Sequence, residues 1–220
     1  REMLAVLDVA KQNNALVMVH AENADCISWL TEKLVGEGRI SPRFHGLSRP
    51  AAVEREATHR AITFAELVDV PILIVHVSGK EAIEQIRWAQ GRGLQILAET
   101  CPQYLYLTAE DMGLQGDHGY EGAKCVCSPP PRDPENQAAV WRALAGGVFS
   151  VFSSDHAPFN YDDPQGKKLG GQAQPFDHIP NGVPGIETRL PLLFDGIARG
   201  KLSLHQFVEL TSYRPARLYG

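Results

Sequence analysis

The chain has 220 residues, 44% hydrophobic and 21% charged, with a formal net charge of -5. That length and apolar share suit one large core rather than several small ones. An acidic balance without a Lys/Arg block argues against nucleic acid as a partner. No stretch approaches the ~20 apolar residues of a bilayer span, so no membrane partner is expected. Four cysteines (Cys26, Cys101, Cys125, Cys127) point to a reducing cytoplasm more than to a disulfide scaffold.

Residues 2–13 already read as a helix in progress at the first residue. The chain stops straight after another helical pattern, so an internal piece of a longer protein is expected. Residues 15–20 form an apolar run ending on His20, read as a strand, and a helix is expected over 25–37. A loop rich in Gly, Pro, Arg and His runs to Pro50. The helix 51–70 rests on Ala57, Ala61, Ile62, Ala65, Leu67 and Val68 at helical spacing.

Residues 71–77 are a continuous β-branched run, the pattern of a strand covered on both faces, with His76 near its end. Ser78 is expected to cap a helix over 80–90, which Gly91 and Gly93 end. A strand over 94–99 is stopped by Pro102, and 123–127 reads as a short extended segment before Pro129-Pro130-Pro131. Asp133-Pro134 opens a helix to 145, and 148–154 reads as a strand leading to Asp155. Residues 157–184 form a long Gly/Pro/Asp loop of the kind that is usually functional. Helices over 186–199 and 204–213 follow.

Strand–helix alternation predicts a parallel sheet of about four strands. The expected fold class is α/β of the (β/α)8 TIM-barrel type. The chain would be one partial domain, 1–220, holding about the C-terminal half of the barrel. Parallel strands point one way, so His20, His76 and Asp155 at matching ends converge on the rim where barrel enzymes place their chemistry. Two histidines and an aspartate suit a metal hydrolase.

Plainer roles stand beside these. A strand-end histidine can be a structural residue, and an aspartate can cap the following loop. His156 follows Asp155, and strand alternation sends the two side chains to opposite faces. Glu22 and Glu99 sit at strand ends and either orient the histidines or simply start helices. Cys125 and Cys127 read as two thiols buried on one strand face. His45, His59, His118, His178 and His205 lie in loops or helices, each a surface or supporting residue. Ser128 lacks a local histidine–acid pair, so a contact to substrate suits it better than nucleophilic attack.

At these same segments the chain resembles the cyclic amidohydrolases of the dihydropyrimidinase/hydantoinase family. The matching motifs are Val19-His20-Ala21-Glu22-Asn23, Ser48-Arg49-Pro50 leading into Val53-Glu54-Arg55-Glu56-Ala57, and Val75-His76-Val77-Ser78. They continue with Glu99-Thr100-Cys101-Pro102-Gln103-Tyr104, Ser128-Pro129-Pro130, Ser153-Ser154-Asp155-His156, and Ile179-Pro180-Asn181-Gly182-Val183-Pro184-Gly185-Ile186-Glu187. Ser128-Pro129-Pro130 and the Asn181-Gly182 loop are more similar to dihydropyrimidinase than to allantoinase or dihydroorotase.

The resemblance implies a two-metal hydrolase with zinc. Its metal-bridging hydroxide opens a dihydropyrimidine or hydantoin ring to an N-carbamoyl amino acid. It also implies a homotetramer, a cytoplasmic setting and a part in pyrimidine degradation. By motif, His20 and His76 resemble ligands of one metal, and Asp155 a ligand of the other and the proton shuttle. Ser128 and Asn181 resemble the backbone positions that bind the ring's imide edge. The family's His-X-His pair and bridging carboxylated lysine have no counterpart here, so the segment alone is expected to be inactive. Two alternatives stay open: an allantoinase-like hydrolase of another cyclic amide, or a non-catalytic scaffold of the same fold.

Overall fold

The computed structural model describes residues 1–113, 120–168 and 174–220. His118 therefore lies outside the described residues. Four strands, β1 (Val17–Val19), β2 (Ile72–Ile74), β3 (Ile96–Thr100) and β4 (Val151–Phe152), pair in parallel in the order β1-β2-β3-β4. A doubly wound sheet reverses its strand order at a switch point. Sequential order with helices between the strands is instead the repeat of a (β/α) barrel.

Helices α1 (Glu2–Gln12), α4 (Ala51–Val68), α5 (Lys80–Gly91) and α7 (Pro134–Ala145) form the layer outside the sheet, each packed on the next. Val17, Val19, Ile72, Ile74, Ile96 and Ala98 face that layer and enter the main core with Ile62, Ile86, Val140 and Leu144. The register aligns Met18, Leu73 and Leu97 on the opposite face. Met18, on the edge strand, is 53% exposed there.

The remaining helices are α2 (Ala24–Gly36), α3 (Phe44–Ser48), α6 (Gln103–Tyr106), α8 (Arg189–Ala198), α9 (Leu204–Val208) and α10 (Arg214–Tyr219). Among the described residues none is long and apolar enough to cross a membrane.

Several expectations need correction. Residues 123–127 are not extended: Glu121–Cys125 is a 3-10 helix. Of this pair, Cys125 is half-buried and Cys127 is fully enclosed. Ser78 does not cap α5. Gly79 holds the cap position, and the Asn136 side-chain oxygen accepts the Lys80 N–H at 2.8 Å. Ser78 is drawn instead into a buried charge network, where its hydroxyl donates to Glu54 at 2.5 Å. The helix begun at Leu204 does not stop at 213. It passes through a π-turn (Glu209–Tyr213) into α10, where Pro215 sits in the first turn and its missing N–H breaks no bond.

Candidate active site

His20 directly follows β1 on the Met18 face, as alternation requires. His76 follows β2 by two residues, and strict alternation from Ile72 and Ile74 would send it to the helix side. Its backbone breaks the pattern with φ +42°, and its ring meets that of His20. His20 Nδ1 lies 2.9 Å from His76 Nε2, with the rings edge to face. Asp155, beyond β4, also has positive φ, +47°. Such conformations cost roughly 1–3 kcal/mol each and gather at functional sites.

His20 Nε2 lies 3.2 Å from Glu22, whose carboxylate also accepts from Arg49 at 2.6 Å. Burial raises the Glu22 pKa, but the His20 hydrogen bond and the Arg49 guanidinium outweigh it and hold the group below the usual carboxylate range. Glu22 thus takes the orienting role, one of the two roles open to it from sequence. Glu99 does not touch a histidine ring. It accepts from Ser153 and from the His76 backbone N–H, while burial raises its pKa.

Behind Glu22, the Arg49 main-chain carbonyl accepts from Arg132. Arg132 also reaches Ser78 at 2.9 Å and Glu54 at 3.1 Å, all in buried surroundings. The Ser48-Arg49-Pro50 and Glu54 motifs therefore build the support of His20.

Asp155 is half-buried, and desolvation raises its pKa against the opposing effect of His20. A carboxylate raised this way is a better proton acceptor than a solvated one. The neighbouring His156 accepts at its Nδ1 from the Gly185 and Ile186 N–H groups. That anchors the loop carrying Asn181. The structure also brings Ser128 and Asn181 together: the Ser128 hydroxyl donates to Asn181 Oδ1 at 2.9 Å.

The donor chemistry fits a divalent metal at the histidine pair. Imidazole nitrogens are the commonest ligands of such ions, and the two that face each other here at 2.9 Å would hold one. A carboxylate on the far nitrogen of one ring is the usual support of such a ligand. His76 Nδ1 is buried without a partner among the described residues. Among those residues no three His, Cys, Asp or Glu side chains are grouped so as to hold a metal, so Asp155 does not complete a ligand set with the pair.

Of two supporting residues, pattern left His45 as either a surface or a supporting residue and gave Lys167 no role. His45 is buried, and its Nε2 donates to the Cys127 carbonyl at 2.9 Å, one residue before Ser128. Lys167 reaches the same segment from the long loop. Both act on partners far away in sequence, which leaves no local signal. His59 contacts Gln85 and the Trp88 ring, while His178 and His205 are exposed beside Asp177 and Glu209.

No family model matches the chain. Among curated proteins it is 46% identical over 218 residues to a D-hydantoinase from Ralstonia pickettii, covering 99% of this chain and 46% of that protein. Among solved structures it resembles dihydropyrimidinase from Brevibacillus agri, with TM-score 0.92 and 43% identity over 99% of this chain and 46% of that one. D-hydantoinase (dihydropyrimidinase) from Thermus sp. superimposes with TM-score 0.93 and 39% identity, covering 100% and 46%. The sheet is thus part of the TIM-barrel fold of the hydantoinases. The chain spans about half the length of the relatives it matches.

Proposed function

We propose that the chain, which matches D-hydantoinases over 99% of its own length, belongs to the hydantoinase/dihydropyrimidinase family and supplies part of the active site of a metal-dependent cyclic amidohydrolase. The reaction is the opening of a dihydropyrimidine or hydantoin ring to an N-carbamoyl amino acid. The observation that carries this reading is the convergence of His20 Nδ1 and His76 Nε2 at the carboxyl rim of a parallel sheet. Zinc suits the donor set, with two ions in the complete site. The reading includes a homotetramer in the cytoplasm acting in pyrimidine degradation.

His20 and His76 would hold one ion, and Asp155 would serve the other. When bound, the metal supplies Lewis acidity to the scissile carbonyl and lowers the pKa of the attacking water. Glu22 keeps His20 in the tautomer whose Nδ1 lone pair is free, because its carboxylate accepts the hydrogen bond of the Nε2–H. Asp155 accepts the proton of the attacking water and passes it to the leaving ring nitrogen. Main-chain groups of Ser128 and Asn181 bind the imide edge, with the two side chains already tied to each other.

Asp155→Asn in the full-length protein tests this. The amide cannot accept the proton, so kcat should fall by roughly 10²–10⁴ with ring binding retained. An unchanged kcat removes Asp155 from the chemistry. A metal-loaded wild type that opens neither ring defeats the whole reading.

A further inference from the structure

Lys167 belongs to the long loop 157–184, yet it is only 3% exposed. Its ammonium donates to the Val126 carbonyl at 2.8 Å and to the Pro180 carbonyl at 2.6 Å. Val126 lies two residues before Ser128, and Pro180 directly precedes Asn181. The Val126 carbonyl also accepts the Gly182 N–H at 3.0 Å, so three segments meet on one oxygen.

The lysine is itself held on all sides. Its N–H donates to the Asn160 carbonyl at 2.9 Å, and its own carbonyl accepts the Tyr120 hydroxyl at 2.8 Å. Gly166, just before it, passes so close to Asn160 that a Cβ would lie 1.9 Å from the carbonyl oxygen. The Phe159 ring lies 5.5 Å from the ammonium. Burial lowers the lysine's pKa to about 8, against the opposing influence of the Cys127 and Cys125 thiols. Both of its hydrogen-bond acceptors among the described residues are main-chain carbonyls rather than carboxylates. An apolar side chain would fill this volume without the desolvation penalty of an ammonium.

We propose that Lys167 is a positioning residue for the substrate's imide edge: one ammonium ties the Ser128 and Asn181 segments together and fixes the separation of the backbone groups that read that edge. This rests on the reading of Ser128 and Asn181 given above. The consequence is specificity for cyclic amides that present a free N–H between two carbonyls.

Lys167→Met in the full-length, metal-loaded protein, compared on an unsubstituted ring and on its N-methylated imide, tests the role. KM for the unsubstituted ring should rise about ten-fold, the loss of roughly one buried hydrogen bond, with kcat changed little. KM for the N-methylated ring, which cannot make the contact, should be nearly the same in both proteins. Hydrogen exchange should quicken over 126–128 and 180–182 while the strand amides keep their protection. If Lys167→Met fails to fold, Lys167→Gln, a shorter neutral donor, should show the same pattern in smaller measure.

An equal change on both rings, an unchanged KM, or exchange quickened throughout the barrel overturns the assignment. A wild type that takes the unsubstituted ring beside an unaltered variant removes the role of Lys167 alone. A wild type that takes neither ring removes the reading of Ser128 and Asn181, and this role with it.

Discussion

His45 shows how much one buried side chain can tie to pH. It is 3% exposed, packs edge-on against Phe176 and donates to the Cys127 carbonyl. Burial, then the nearby Arg49 charge, push its pKa down from 6.5 to about 4. The folded state thus binds the proton less well than the unfolded chain. Stability from this group is complete above about pH 6.5, drains away as pH falls, and is gone near pH 4. A shift of that size corresponds to about 3 kcal/mol. The urea midpoint should therefore drop steeply between pH 6.5 and 4.5, and His45→Gln should flatten the drop while weakening the protein at pH 7. Parallel pH profiles for the two proteins would refute this. At this scale the sequence was uneven. His20, His76 and Asp155 could be picked out because each closes an apolar run. His45 and Lys167 could not, since the carbonyls they hold lie as far as 82 residues away.

The start of α5 shows why local pattern placed elements better than their ends. The apolar strands and the long helix α4 declared themselves through unbroken runs and helical spacing. Asp133 and Pro134 marked α7, and the Asp133 side chain does accept the Asn136 N–H there. Helices α3 and α6, only five and four residues long, are too short to show a period. Ser78 looked like a cap because nothing in its neighbourhood reveals Glu54 and Arg132 waiting for its hydroxyl. With Ser78 taken, Asn136 from the first turn of α7 caps α5 across the interface. A Cβ at Gly79 would sit 2.6 Å from that Asn136 oxygen. Gly79→Ala and Asn136→Ala should each destabilise by about 1 kcal/mol, the worth of one cap. The double variant should cost less than the sum, because removing Asn136 also removes the clash. Additive losses in denaturant unfolding would show that the two residues do not share this contact.

Across the whole molecule, the rim carries unequal shares of the proposed chemistry. The ring-binding side is well built: Ser128 and Asn181 meet directly, and His45, Lys167 and His156 brace the segments around them. The metal side offers two convergent nitrogens, and no third donor completes a ligand set with the pair among the described residues. Zinc sites of useful affinity take three or four protein ligands, and a pair leaves the ion mostly hydrated and readily lost. The sheet is likewise open at β1, where Met18 lies 53% exposed on the face opposite the helices. Barrel interiors are filled by side chains from all their strands, so this face requires partners that four strands do not supply. The isolated 220-residue chain should therefore retain less than one zinc per chain after dialysis, and it should open neither ring at a measurable rate. Elemental analysis and a ring-opening assay on the purified segment check both, beside the full-length protein under the same conditions. Full activity from the segment alone would mean that His20, His76 and Asp155 suffice, and that the site is not divided as proposed.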